Sequence, residues 1–332
     1  KRPMNRLVQG EVGSGKTIVA LYAMLVCVAH GRQAVLMAPT EILARQHADT
    51  LDKLLTASRV RYGVLTGGMP QRPLQTLLDE LAAGELDLVI GTHAVIQQDV
   101  EFAQLGFVVV DEQHKFGVRQ RAALRDCEAS PHYLVMTATP IPRTMSMTLF
   151  GDLDHSTLRE LPAGRQAVHT YLVEPQLEQR WWAFVRDRLR EGRQAFVIAP
   201  LVDESETSDE PSVAAAFEQL TQGELEQFRL GLLHGRMSSA EKEASMTDFR
   251  AGRTQVLVST TVVEVGVDVP NASVMTVAGA NRFGLAQLHQ LRGRIGRGQH
   301  AGYCGILVGD LPEEKRARLE SFAASTDGFE LA

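Results

Sequence analysis

The sequence predicts an α/β protein made of two tandem domains, each a mainly parallel sheet flanked by helices. Three observations predict it. Short apolar runs alternate with amphipathic stretches along the chain, the pattern of strands followed by crossover helices. The pattern occurs twice, and 332 residues are enough for two cores of ordinary domain size. Five polar motifs of the first half, GEVGSGKT, APTE, GTH, DEQH and TATP, each follow directly on an apolar run. In an open parallel sheet ligands gather at the carboxyl ends of the strands, so these motifs would line one edge.

In the first half, Arg6–Gln9, Ala34–Ala38, Val60–Leu65, Leu86–Ile90, Phe107–Val110 and Tyr133–Met136 read as strands. Apolar residues at three- and four-residue intervals mark helices over Lys16–His30, Glu41–Thr56 and Pro73–Ala83. The second half repeats the design. Its expected strands are Val168–Val173, Ala195–Ala199, Arg229–Leu233, Gln255–Ser259, Ser273–Val277 and Tyr303–Val308. Its expected helices are Gln176–Glu191, Ser212–Gln222, Ser239–Arg250 and Leu285–Leu291. Gly151–Arg165 carries Gly, Asp and Pro without sustained periodicity and reads as a hinge, separating a domain of residues 1–150 from one of 166–332. The acidic stretch Asp203–Pro211 reads as a solvated loop. Trp181 and Trp182 fall in a helical segment, where core packing is favoured over base stacking.

Composition narrows the class. The chain is 44% hydrophobic and 22% charged, which excludes disordered and fibrous proteins. Its apolar runs are strand-sized, too short for a membrane span, and no signal segment opens it, so a cytoplasmic location is expected. Cys27, Cys127 and Cys304 are scattered without metal-ligand spacing, which argues against a disulfide framework or a structural metal. The net charge of −6 is uneven: residues 1–150 carry 15 Lys+Arg against 14 Asp+Glu, and residues 151–332 carry 19 against 26. An acidic balance does not exclude a nucleic-acid partner, because backbone N–H groups and helix N-termini can grip phosphates.

The chemistry concentrates in three places. Gly10-Glu-Val-Gly13-Ser14-Gly15-Lys16-Thr17 fits the phosphate-loop pattern, with a strand before it and a helix after it. Its glycines let backbone N–H groups point at phosphate oxygens; Lys16 would reach the β- and γ-phosphates of ATP, and the Thr17 hydroxyl would bind Mg²⁺. Asp111 and Glu112 end an apolar run, where Asp111 would hold the metal through water and Glu112 would act on the attacking water. In the second half, Gln290-Leu-Arg-Gly-Arg294-Ile-Gly-Arg297 would, if helical, place Gln290, Arg294 and Arg297 on one face. Two arginines presented together suit a triphosphate whose charge shifts during hydrolysis.

Together these motifs resemble, in order and over nearly the whole chain, those of the superfamily 2 helicases, whose two domains are RecA-like. TTVVEVGVDVP resembles that superfamily's fifth motif and QLRGRIGR its sixth. Within it, RLVQGEVGSGKT, GTHAVIQ, VVDEQHKFGVRQR, TATPIPRT, HGRM and FGLAQLHQLRGRIGRG are most similar to the RecG family. The transcription-repair coupling factor shares TATPIPRT and FGLAQLHQLRGR and ranks second. The resemblance implies ATP-driven remodelling of branched DNA, such as replication forks and Holliday junctions, by a monomeric motor. It further implies nucleotide contacts from Gly266 and Asp268. Thr40, Thr92, His93, His234, Gly235 and Thr260 would lie on the nucleic acid, and His114, Thr137 and Thr139 would relay the nucleotide state to them. Glu11 and Lys115 depart mildly from the family pattern, which has Asp and Arg there. The family's wedge domain, and a further motif after the DGFELA segment, are expected outside these residues, so the sequence reads as a piece of a longer protein.

Two other classes compete. A metabolic phosphate-loop kinase or ligase has no use for a second domain carrying Arg294 and Arg297. A nucleotide-gated clamp that holds DNA without moving uses the same residues and stays open as a reading.

Overall fold

The computed structural model describes residues 3–97, 100–112, 131–138, 153–160, 166–199, 213–260, 269–309 and 311–325. It divides into two compact units, Lys1–Leu161 and Pro162–Ala332, each with its own parallel sheet and core.

The first unit runs β1 (Asn5–Gly10), α1 (Lys16–Ala29), β2 (Gln33–Met37), α2 (Glu41–Leu54), β3 (Tyr62–Leu65), α3 (Gln71–Ala82), β4 (Leu88–Gly91), β5 (Leu105–Asp111), β6 (His132–Thr137) and β7 (Asp154–Leu158). The sheet order is β3-β4-β2-β5-β6-β1-β7, and every pairing is parallel. Strands β2, β4 and β5 are buried at every residue, as their unbroken apolar runs require of a sheet covered on both faces. Leu7, Val35, Val89, Val108 and Val135, from five different strands, share one core with Leu77 and Leu81 of α3.

Strand β7 corrects the hinge reading of residues 151–165. It pairs with β1 from Arg6↔Asp154 to Gly10↔Leu158, so the first sheet reaches past residue 150. Its sequence, DHSTL, is polar because an edge strand is only half covered, and no apolar alternation announces it.

The second unit runs β8 (Val168–Val173), α4 (Glu178–Arg190), β9 (Gln194–Ile198), α5 (Val213–Gln222), β10 (Leu230–Leu233), α6 (Ser239–Arg250), β11 (Val256–Ser259), β12 (Ala272–Val277), α7 (Leu285–Arg292), β13 (Gly302–Leu307) and α8 (Glu313–Ala324). Its sheet order is β10-β11-β9-β12-β13-β8, again parallel throughout. Helix α6 starts where a capping box forms: Ser238 Oγ accepts from the Glu241 N–H, and the Glu241 carboxylate accepts from the Ser238 N–H. Trp181 and Trp182 are core residues. The Trp181 Nε1–H donates to Thr276 Oγ1 at 3.0 Å, and its ring lies over Gly305, where a Cβ would sit 2.3 Å from ring atoms. Helix α8 was not expected, because only Leu319 and Phe322 of its twelve residues are buried.

Candidate functional site

Because all strands of the first sheet are parallel, their carboxyl ends share one edge, and each motif takes the position of its strand. Across that edge come Thr66-Gly67-Gly68 after β3, Thr92-His93 after β4, and Ala38-Pro39-Thr40-Glu41 after β2. Asp111-Glu112 at β5, Thr137-Ala138 at β6 and the glycine loop after β1 follow. The sites assigned to nucleotide chemistry therefore occupy three adjacent strands, β5-β6-β1. Those assigned to nucleic acid, Thr40, Thr92 and His93, follow the neighbouring pair β4-β2.

The loop between β1 and α1 has the backbone of an anion cradle. Gly13 (φ 82°) and Gly15 (φ 91°) are left-handed. A Cβ on Gly15 would meet nothing within 4 Å, so conformation rather than room demands glycine there. At Gly10 the reason is space, since a Cβ would lie 2.6 Å from Ser14 Oγ and 3.0 Å from Leu158 Cβ. Helix α1 begins at Lys16 with no side-chain cap and no acidic residue in its first turn, so nothing there offsets the positive end of its dipole. Lys16 Nζ donates to the Gly10 and Glu11 carbonyls at 2.7 and 2.8 Å, which lays the ammonium across the loop. Ser14 Oγ is buried and meets no hydrogen-bond partner among the described residues.

Asp111 and Glu112 are held in two different ways. The Asp111 carboxylate is buried and lies 3.0 Å from His47 Nε2 of α2. Glu112 has φ 50°, the one non-glycine in the left-handed region among the described residues. Such a conformation costs about 1–3 kcal/mol. Three hydrogen bonds offset it: the Glu112 N–H donates to Met136 O at 2.9 Å, and its carboxylate accepts from Thr137 Oγ1 and the Ala138 N–H, both at 3.1 Å. The end of β5 is thus tied to the end of β6, and DEQH to TATP, by direct contact.

The oxygens of Thr17 and Asp111 fit Mg²⁺. It prefers hard oxygen ligands and is ordinarily held by one or two protein groups together with substrate phosphates. No group of three or more His, Cys, Asp or Glu that could hold a metal occurs among the described residues.

In the second unit the helical reading of the arginine segment is corrected. Helix α7 ends at Arg292 with Gly293 as its C-cap, and Gly296 is left-handed at φ 73°. Gln290, Arg294 and Arg297 therefore do not share a helical face. A Cβ on Gly296 would sit 2.9 Å from Val168 Cγ2, so the turn is also tightly packed. Gln290 and Arg294 are buried, and Arg297 Nε donates to Gly293 O at 3.1 Å.

The remaining sites divide by what they touch. Thr40 Oγ1 caps α2 by accepting from the Leu43 N–H at 3.4 Å. Thr92 is buried, with its hydroxyl unpartnered among the described residues, while His93 beside it is exposed. His234 directs its N–H at Met237 Sδ, and Gly235 is exposed with its carbonyl accepting from Lys242 Nζ. Thr260 is buried. His114, Thr139, Gly266 and Asp268 lie outside the described residues.

Two features of this edge were not read from the sequence. The N–H of Thr92 donates to Leu65 O and that of Thr260 to Leu233 O, each at 3.2 Å, which makes the two threonines counterparts. Thr66-Gly67, after Leu65, thereby corresponds to His234-Gly235, after Leu233; aligning the two halves would have found it. His47 could also have been found, since it shares the buried face of α2 with Leu43, Ala44 and Leu51, and a polar residue there needs a partner.

Comparisons with known proteins bear on the family and the fold. The DEAD/DEAH box helicase model matches residues 2–148, and the helicase conserved C-terminal domain model matches residues 182–299. The ATP-dependent DNA helicase RecG of Synechocystis sp. is 48% identical over 330 residues, 99% of this chain and 40% of that protein. RecG of Bacillus subtilis is 47% identical over 329 residues, 99% of this chain and 48% of the relative. A structure of RecG bound to a three-way DNA junction superposes with a TM-score of 0.83 at 44% identity, covering 99% of this chain and 43% of that one. The chain thus spans less than half the length of these relatives. With both helicase models in order and near-half identity along almost all its residues, the chain belongs to the RecG family of helicases.

Proposed function

We propose that this chain is the motor of an ATP-dependent DNA helicase or translocase that remodels branched DNA, regressing stalled forks and migrating Holliday junctions in the bacterial cytoplasm. The observation that carries the reading is the division of the first sheet's edge, with nucleotide chemistry on β5-β6-β1 beside nucleic-acid candidates on β4-β2. Support for the substrate class comes from the relatives named as DNA helicases and from the relative bound to a three-way junction.

In this reading Lys16 leaves the Gly10 and Glu11 carbonyls for the β- and γ-phosphate oxygens, and the loop amides cradle the phosphates. Thr17 and Asp111 would hold Mg²⁺, which when bound would offset charge on the phosphates. Glu112 takes the proton from the water that attacks the γ-phosphorus as the bond to the β-phosphate oxygen breaks. Its carboxylate also accepts from Thr137 and Ala138, so a change of charge there is felt at β6, with Thr139 and His114 extending the relay. Arg294 and Arg297 of the second unit meet the charge shifted in hydrolysis, with Gln290, Gly266 and Asp268 completing the nucleotide set. Thr40, Thr92 and His93, with Thr66 and Gly67 by internal correspondence, face the DNA backbone from the first unit. His234, Gly235 and Thr260 face it from the second. Small hydroxyl and glycine residues at strand ends grip phosphates without reading sequence.

Glu112→Gln tests the reading. In the intact protein ATP affinity should stay within about threefold while DNA-stimulated hydrolysis falls by roughly 10² or more. Hydrolysis within a few-fold of the parent would remove Glu112 from the reaction. Strand displacement on a forked substrate, measured alongside, separates a motor from a clamp that hydrolyses ATP without moving.

A further inference from the structure

Resting on the nucleotide reading above, we propose that His47 is a positioning residue for the metal site, and that its hydrogen bond to Asp111 makes α2 part of that site. Two independent facts of placement lead there. The first is the contact itself: His47 Nε2 lies 3.0 Å from Asp111 Oδ2, with both residues more than nine-tenths buried. A carboxylate can only accept, so Nε2 carries the hydrogen and the imidazole is the donor. One carboxylate oxygen is thereby fixed, and the other remains for the water of the metal. Groups that hold a ligating carboxylate in this manner orient it, and their loss ordinarily weakens metal binding.

The second fact is where the donor comes from. His47 does not belong to the β5-β6-β1 group but to α2, the helix that follows β2. The same helix is capped at its start by Thr40 of APTE, about two turns before His47. Helix α2 therefore carries a nucleic-acid candidate at its N-terminus and the support of the metal-holding carboxylate further along. This link is separate from the one between Glu112 and Thr137. It crosses from the nucleic-acid half of the edge to the nucleotide half through a single rigid element.

Two polar variants of the intact protein test it. The amide of His47→Gln reaches about as far as Nε2 and can donate to Asp111, whereas that of His47→Asn stops one carbon short. The primary readout is Mn²⁺ binding in the presence of ADP, followed by electron paramagnetic resonance of the free ion; ADP affinity without metal is measured beside it. Asn at position 47 should weaken Mn²⁺ binding by about 10–100-fold. Metal-free ADP affinity should stay within about twofold, and Gln should restore metal affinity to within about threefold of the parent. Parent-like Mn²⁺ affinity in the Asn variant would overturn the assignment, and so would equal losses in Asn and Gln, which would make His47 a packing residue only. Lys16→Ala tells this failure apart from failure of the nucleotide reading. If that reading is wrong, Lys16→Ala leaves metal-free ADP affinity unchanged; if only the His47 assignment is wrong, it does not.

Discussion

The two units follow the same path. Replacing β1 to β6 by β8 to β13 in order turns the first sheet's arrangement into the second's, and the first unit adds only β7. The likeness extends to single residues. Gly31-Arg32-Gln33-Ala34 opens β2 and Gly192-Arg193-Gln194-Ala195 opens β9, with both glycines left-handed at φ 71° and 81°. Gln33 Nε2 donates to the carbonyls of Leu81 and Leu86, and Gln194 Nε2 to those of Phe249 and Thr254, in each case joining a helix end to the approach of the next strand. The edges, however, differ. Where the first unit has its glycine loop, the second has Pro175–Leu177 and then α4, whose first turn carries Glu178. Where the first has Asp111-Glu112 and Thr137, the second has Ala278-Gly279 and Val308. A cavity of about 1150 Å³ does open at these second-unit strand ends, lined by Trp182 and Leu220 with Glu178, Glu224, Arg186 and Arg190, but the segment after β8 that borders it is Pro175–Leu177 and not a glycine loop. Topology supplies an edge; the loops on it decide what binds.

If the second unit serves the nucleotide chiefly through its arginines, the double change Arg294→Ala, Arg297→Ala has the largest effect. Steady-state hydrolysis by the intact protein should fall by about 10³–10⁵, the scale of a lost arginine finger, with ATP affinity changed far less. A loss under about tenfold would break the division of labour between the units. Next comes Lys16→Ala, expected to weaken ATP binding in calorimetry by about 10² or more through the loss of charge-assisted hydrogen bonds. Its counterpart control in the other unit, Glu178→Ala, should leave affinity within about twofold. The smallest effect belongs to Gly305→Ala, which drives a methyl into the Trp181 ring. Denaturant unfolding should show the second unit destabilised by about 1–3 kcal/mol while nucleotide affinity holds. Full stability there would mean that this strand packs more loosely than the first unit's.

Most of the fold was legible because buried parallel strands are unbroken apolar runs bounded by glycine and polar turns, as in Ala34–Ala38 and Gln255–Ser259. The elements that escaped are those with little apolar signal. Strand β7 is a polar edge, and α8 buries two side chains. The phosphate loop was legible because its chemistry is local: spacing alone fixes which backbone groups converge. The end of the helix at Leu291 was legible to within one residue, but QLRGRIGR keeps helical spacing beyond it, and the shared face expected of Gln290, Arg294 and Arg297 if helical fails because α7 ends at Arg292 and Gly296 is left-handed. The His47–Asp111 contact joins residues 64 positions apart, so nothing in the spacing of either motif could announce it.

The placement of β1 has a consequence for how the protein is made. Within its sheet, the strand that carries the phosphate loop leaves the ribosome before the other six, yet both its neighbours come late. It pairs with β6 and with β7, and Arg6 is bonded to Asp154, 148 positions further on. At a synthesis rate of about 5–20 residues per second, β1 waits roughly 7–30 s for its second partner. Through that interval its apolar residues are without the strands that bury them, and contacts of such long sequence separation form slowly. The glycine loop is thus first in its unit and among the last parts of that unit to acquire shape, and if ATP binds there as proposed it can stabilise the nascent unit by mass action only near the end of that unit's synthesis.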